Sequence, residues 1–213
     1  SGTAGTAYTI TYSATVNGNA LTVATQSVTP TLGAATQISI TTQPVGDTAG
    51  ALLSTQPVVK VLDSGNNIVT DSSIAVTVSA SGGTLGGTKT INATSGVATF
   101  TGITFAGTAS TNYTLTFTTA DLGSTISDDF SVGVGAPTQI IRTTNASGAV
   151  YSADFTTQPV VEIRDAGNNK VTTAANVVTA TLSSGTIPGT TDTTLTATAA
   201  SGVATFSGLG ITG

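Results

Sequence analysis

The chain has 213 residues, of which only 7% are charged, and its ten acidic and five basic residues give a net charge of −5. It contains no cysteine, histidine, methionine or tryptophan, which removes the thiol nucleophile, the imidazole base and the soft metal ligands. The few basic residues are scattered along the chain, and no apolar run is long enough to span a bilayer. We therefore expect no enzymatic activity, no nucleic-acid binding and no membrane insertion.

The first segment, residues 1–33, has the alternation of a strand. Threonine alternates with larger side chains that we expect to face inward, namely Tyr8, Ile10 and Tyr12. A second strand is predicted over about 20–29. Because GTAGTAYTITY at 2–12 resembles GTASTNYTLTF at 107–117, we interpret this segment as the last two strands of a preceding repeat.

The second segment, residues 34–134, is predicted to be one complete repeat. Period-two patterns predict strands near Ile38 and over 74–80, 97–100 and 126–132. About seven strands in a hundred residues is typical of an immunoglobulin-like sandwich. The side chains that we expect to form its core are Val59, Val61, Val76, Val78, Phe100, Leu115 and Phe117.

The third segment, residues 135–213, repeats the second. STQPVVKVLDSGNN at 54–67 recurs as TTQPVVEIRDAGNN at 156–169, and SGVATF at 95–100 recurs at 201–206. The repeat is about 105 residues long, so the counterpart of Tyr113 would lie beyond the last residue. We expect this segment to lack its final two strands, in a chain that is either a processed product or an excerpt of a longer protein.

This register predicts how the third segment is completed. A neighbouring segment should supply the two missing strands, either as the next stretch of the same polypeptide or from another subunit by strand addition. The expected strand-donor residues are Tyr8, Ile10 and Tyr12, and the expected partners are copies of the chain or adjacent repeats, arranged head to tail.

The acidic residues offer one candidate site for a cofactor, which would be calcium. The segments Asp63–Asn67 and Asp165–Asn169 each hold a single carboxylate, which is too few for a calcium loop, and we interpret them as hairpin turns. Near the end of the complete repeat, Asp121, Asp128 and Asp129 could together hold calcium between modules. Solvated turn residues are the preferred interpretation, and we expect no other cofactor.

The order of three stretches carries a family resemblance: VVKVLDSGNNIVTD, then AVTVSASGGTLGG, then SGVATFTGITFAGTASTNYTLTF. It resembles the bacterial immunoglobulin-like repeats of invasin- and intimin-type adhesins and related large surface proteins. The resemblance implies tandem β-sandwich modules, an extracellular location at the cell surface or in a secreted fibre, and no catalytic residues. The favoured function is a structural filament or stalk. The alternative is an adhesin module that binds a glycan or a host protein, although a sugar platform is poorly supplied without tryptophan.

Overall fold

The computed structural model describes residues 2–213, and this part of the chain is all-β, with eighteen strands. Over the same residues there is no helix that is long and apolar enough to cross a membrane. We describe the molecule as an N-terminal hairpin (residues 2–30), a central unit (34–134) and a C-terminal unit (135–213).

The N-terminal hairpin is a two-stranded ribbon. Strand β1 (Tyr8–Tyr12) pairs antiparallel with β4 (Ala24–Val28), and the short strands β2 (Thr15–Val16) and β3 (Asn19–Ala20) form its tip. The turn between β2 and β3 is an Asn-Gly pair in which both residues have positive φ, as tight hairpin turns require.

Both faces of this hairpin are exposed, which corrects one sequence-based prediction. Tyr8, Ile10 and Tyr12 do not face inward in the single chain, because no second sheet packs against β1 and β4. The alternation of the strand was predicted correctly, but the surface that would bury one face is not present beside it.

The central unit is β-sandwich-like, with a core enclosed between sheets. Its sheet orders are β10-β6-β5, β13-β12-β7-β9 and β11-β8. The strands are β5 (Ala35–Thr42), β6 (Val58–Asp63), β7 (Ala75–Ala80), β8 (Thr84–Gly86), β9 (Thr90–Asn92), β10 (Val97–Thr99), β11 (Thr104–Ala106), β12 (Leu115–Thr118) and β13 (Ser124–Ile126).

All seven predicted core residues of the central unit are buried, which confirms that part of the sequence analysis. The aromatic rings stack in two groups. Phe100 lies 5.4 Å from Phe117, and Phe105 lies 4.7 Å from Tyr113 and 5.1 Å from Phe130, measured between ring centroids. Three of these five rings belong to β12 or to the residues that flank β12 and β13, namely Tyr113, Phe117 and Phe130.

The last strand of the central unit is Ser124–Ile126, so the prediction of a strand over 126–132 was wrong except at Ile126. Strand β13 ends at Ile126 because the side chain of Ser127 interrupts the ladder: its Oγ accepts a hydrogen bond from the Leu115 amide at 2.9 Å. Pairing resumes beyond this interruption, where the amides of Tyr113 and Phe130 each donate to the other's carbonyl oxygen.

The C-terminal unit repeats the first part of this arrangement. Its sheet orders are β14-β15-β18 and β16-β17, and its small core centres on Ile163, Val178 and Phe206. By the repeat, β14 to β16 correspond to β5 to β7. Residues 135–213 contain no strand that corresponds to β12 or β13. The strands are β14 (Gln139–Thr144), β15 (Val160–Arg164), β16 (Val177–Thr181), β17 (Thr194–Thr198) and β18 (Val203–Thr205).

Candidate functional site: two joints and an open cleft

The turn that follows β6 is organised by the buried carboxylate of Asp63. Its Oδ1 accepts hydrogen bonds from the amides of Gly65 (2.8 Å) and Asn67 (2.9 Å), and the Asn67 side chain donates to both carboxylate oxygens. Asn66 has a φ of 65°, which asparagine tolerates better than most residues. The sequence analysis predicted a turn here, and the structure has one.

The same turn also holds the base of the N-terminal hairpin, which was not predicted. The Gly33 amide, in the connection that follows the hairpin, donates to Asp63 Oδ2 at 3.1 Å. The Ala4 amide, just before β1, donates to Asn67 Oδ1 at 3.1 Å. One side chain therefore fixes the exit of the hairpin and the other fixes its entry, and we call this arrangement the first joint.

A second joint, between the central and C-terminal units, uses the corresponding atoms. The Gly135 amide donates to Asp165 Oδ2 at 2.6 Å, and the Ala109 amide donates to Asn169 Oδ1 at 2.8 Å. The Asn169 side chain adds a bond to the carbonyl of Gly107 at 3.0 Å. The recurrence of the same donors and acceptors indicates that the two connections have the same local geometry.

The base of the N-terminal hairpin is built like the equivalent part of the central unit. The Thr3 amide donates to the hydroxyl of Tyr8 at 2.6 Å, and the Thr108 amide donates to the hydroxyl of Tyr113 at 2.8 Å. A backbone bond from Gly5 to the Pro30 carbonyl (2.8 Å) corresponds to one from Ser110 to the Val132 carbonyl (3.0 Å). The hairpin therefore has the conformation of β12–β13 at its base without a sandwich behind it.

The hydrogen bonds at the joints stabilise the ionised carboxylates. The amide of Asn67 is the largest cause at Asp63, followed by the amide of Gly33, and together with the Asn67 side chain they lower the pKa of Asp63 to about 2. Burial acts to raise the pKa of Asp165, but hydrogen bonds, led by the one from Gly135, outweigh burial and lower it. In both joints the hydrogen bonds therefore favour the charged form of the carboxylate.

The C-terminal unit has an open, uncharged cleft of about 480 Å³ between β14 and β16. Its lining residues are Pro137, Thr138, Gln139, Ile140, Ile163, Asn176, Val177, Val178 and Thr179. In the central unit the corresponding edge, that of β7, is covered because β12 pairs with it from Leu115↔Ala80 to Thr118↔Thr77. By the same register a β12-type strand would pair with residues 179–182, so the cleft adjoins that position and shares Thr179 with it.

Several apolar side chains of the C-terminal unit and the hairpin are more exposed than their counterparts in the central unit. Ile140 is 58% exposed, whereas its counterpart Ile38 is 8% exposed, and Ile211 is 41% exposed, whereas its counterpart Phe105 is fully buried. On the hairpin, Ile10 is 43% exposed, whereas its counterpart Leu115 is fully buried. Apolar surface is thus left in water on the C-terminal unit and on the hairpin.

The structure does not bring the predicted donor residues and the cleft together within one chain. Tyr8, Ile10 and Tyr12 lie on the hairpin held at the first joint, and the cleft lies in the unit beyond the second joint. The candidate calcium ligands are also separated and exposed. Asp121 is in the turn between β12 and β13, whereas Asp128 and Asp129 follow β13, and no group of three metal-ligating residues occurs within 2–213.

Asn67, Asn169, Gly33 and Gly135 were missed as contact residues by the sequence analysis. The signal that could have found them is internal: the Asp-x-Gly-Asn-Asn segment is identical in both repeats, although the strand before it changes from VVKVL to VVEIR. A turn that needed only positive φ would tolerate more variation. No protein-family model matches the chain, and a search of curated proteins finds no match.

Proposed function

We propose that this chain is a structural module of an extracellular filament or stalk, built from tandem immunoglobulin-like repeats that are joined head to tail. The observation that carries the proposal is the recurrence of the joint. Two successive connections use the same carboxylate, the same asparagine amide and the same backbone donors. Modules that are linked through equivalent atoms adopt equivalent orientations, which a regular fibre requires.

The open C-terminal unit supports the second part of the proposal, that repeats are completed between neighbours. The edge of β16 that corresponds to the β12 side of β7 is unpaired, and the N-terminal hairpin resembles the β12–β13 segment in sequence and in the hydrogen bonds at its base. A following hairpin closes the cleft, either by continuation of the polypeptide or by strand donation. The exposed edge of β16 would otherwise remain open to unspecific pairing.

Composition supports a mechanical function rather than a catalytic one. The sequence has neither histidine nor cysteine, and the two buried carboxylates, Asp63 and Asp165, accept hydrogen bonds within the joints. The resemblance to repeats of large bacterial surface proteins supports the extracellular location.

Residual dipolar couplings test whether the second joint is rigid. We expect the central and C-terminal units of the dilute chain to share one alignment tensor, because Asp165 and Asn169 lock their connection. Asn169→Ala should separate the two tensors, since it removes the bonds to Ala109 and Gly107. Asn92→Ala is the matched control, because Asn92 is an exposed asparagine in β9. Two different tensors in the unmodified chain would contradict the proposal.

A further inference from the structure

We infer that Asn92 is an N-glycosylation site and that its glycan covers the outer edge of the central sandwich. Asn92-Ala93-Thr94 matches the Asn-x-Ser/Thr acceptor sequence of N-linked glycans. The inference rests on the extracellular location in the proposed function, because this modification belongs to secreted proteins. Every residue on which it depends lies within the central unit, whose two sheets are both present.

The acceptor pattern also occurs at 112–114 and 145–147, and the structure distinguishes these copies from the first. The Asn112 side-chain amide donates a hydrogen bond to Asp129 Oδ2 at 3.3 Å, and the middle residue of that copy, Tyr113, is buried. Its amide is thus engaged, and its backbone is anchored in the core. The copy at 145–147 follows β14, which has no counterpart of β13 beside it, so its exposure cannot be compared with that in a complete sandwich.

The alternation of β9 turns the side chain of Asn92 outward. Ile91 lies opposite the buried Val76 and packs against the core. The next residue, Asn92, therefore faces solvent, opposite the exposed Ala75. Ala75 is too short to cover it, and within residues 2–213 the Asn92 side-chain amide has no hydrogen-bond partner. The nitrogen that would receive the glycan is free and accessible.

The third position of the acceptor sequence is accessible as well. Thr94 is exposed and opens a tight turn, in which its backbone exchanges hydrogen bonds of 2.8 and 3.0 Å with that of Val97. Between them, Ser95 and Gly96 both have positive φ. Residues two apart in an extended segment share a face, so the Asn92 amide and the Thr94 hydroxyl are presented on the same side.

The modification forms one bond and breaks another. The side-chain nitrogen of Asn92 attacks the anomeric carbon of an oligosaccharide that is carried on a polyprenyl diphosphate. The bond from that carbon to the diphosphate oxygen breaks, and the polyprenyl diphosphate leaves. The nitrogen gives one of its two protons to a basic group of the transferase, so the side chain remains an uncharged amide. This chain contributes only the acceptor.

A glycan at Asn92 would protect an edge of the sheet. Strand β9 is the last strand in the order β13-β12-β7-β9, so one side of its backbone is unpaired within residues 2–213. Edge strands are commonly protected from pairing with other chains by charged side chains or proline, and Thr90–Asn92 has neither. A bulky, hydrated glycan on its outer face keeps the strands of other molecules away.

Peptide mapping by mass spectrometry of the protein isolated from its own cell surface tests the assignment. The peptide that contains Asn92 should carry an oligosaccharide, and the peptide that contains Asn112 should be unmodified. An unmodified Asn92 peptide would overturn the inference. It would leave the proposed function standing, because the dipolar-coupling test of the second joint does not depend on a glycan.

Transfer in vitro tests whether the fold selects the site. The probes are a purified oligosaccharyltransferase and a polyprenyl-diphosphate-linked oligosaccharide. Short peptides that span either acceptor sequence should both be modified, whereas the folded 213-residue chain should be modified at Asn92 and not at Asn112. Equal transfer to Asn92 and Asn112 in the folded chain would contradict the structural argument, as would a folded chain that is modified at neither residue.

Three variants of the folded chain complete the test. Asn92→Gln removes the acceptor nitrogen from its position, and Thr94→Ala removes the hydroxyl, so both should abolish transfer to this site. Thr94→Ser is the matched control, because it keeps the hydroxyl and should keep the glycan. Circular dichroism checks that the variants are folded, as expected for exposed side chains. Transfer that survives Thr94→Ala would show that the acceptor sequence at Asn92 is not what the transferase recognises and would overturn the inference.

Discussion

At the scale of single residues, Asp63 and Asp165 have a double function that their type suggests only in part. Each carboxylate orders its own turn through two amides two and four residues later, and each uses its second oxygen to hold a glycine amide of the preceding connection. Aspartate is common in turns because it can order them in this way. The bond from its second oxygen to the glycine amide makes each aspartate a contact between units as well.

These carboxylates predict how stability depends on pH. The pKa of Asp63 is about 2 in the folded chain and near 3.8 in the unfolded chain, so its stabilisation is complete above about pH 4 and is lost as the pH falls towards 2. We expect Asp63→Asn to lower the melting temperature at pH 7. The difference from the unmodified chain should shrink between pH 4 and pH 2, as followed by thermal unfolding.

Asp121→Asn is the control for this measurement. Asp121 is an exposed carboxylate in a turn, so its replacement should leave the melting temperature unchanged across the same range. A difference between Asp63→Asn and the unmodified chain that stays constant from pH 7 to pH 2 would show that the charge of Asp63 does not stabilise the joint.

Phe117 and Tyr12 occupy equivalent positions in the repeat, but we expect their truncation to alanine to cost very different amounts of stability. Phe117 is fully buried and lies 5.4 Å from Phe100, so Phe117→Ala should cost about 3–5 kcal/mol in the free energy of unfolding. Tyr12 is 52% exposed, and Tyr12→Ala should change that free energy by less than about 0.5 kcal/mol in the dilute monomer. Urea unfolding measures both, and similar costs would contradict the assignment of Tyr12 to an unpacked surface.

At the scale of elements, the difference between the two units is the edge of one strand. Strand β7 has β9 on one side and β12 on the other, whereas β16 pairs with β17 alone. An unpaired edge leaves alternate backbone groups in water and invites pairing with another strand. The edge of β7 is therefore paired, whereas the equivalent edge of β16 is available.

Hydrogen exchange should report this difference in the dilute chain. We expect a peptide that covers β16 to exchange faster than a peptide that covers β7, because fewer of its amides are in a ladder. The comparison is internal, since the two strands occupy equivalent places in the repeat. Equal protection of β7 and β16 in the monomer would mean that the edge of β16 is covered. It would contradict the description of this edge as unpaired.

At the scale of the whole molecule, charge is distributed away from the surfaces that we propose to meet. The first charged side chain in the sequence is Asp47, so the N-terminal hairpin carries no acidic or basic residue. The residues that line the cleft are also uncharged. Contact between these surfaces depends on apolar burial and backbone hydrogen bonds rather than on charge pairing.

The sequence by itself determined the all-β class, the strand alternation and the seven core residues of the central unit, because period-two alternation and internal repetition are local signals. It also determined that the N-terminal segment resembles a strand pair of the repeat. It did not determine that Tyr8, Ile10 and Tyr12 are exposed, since the burial of a strand face depends on what packs against it. The recurring Asp-x-Gly-Asn-Asn segment marked the turns at Asp63 and Asp165, but only the tertiary structure decided what these turns contact. At these joints Asn67 and Asn169 accept hydrogen bonds from the amides of Ala4 and Ala109, about 60 residues away along the chain, and a backbone amide does not depend on the identity of its side chain.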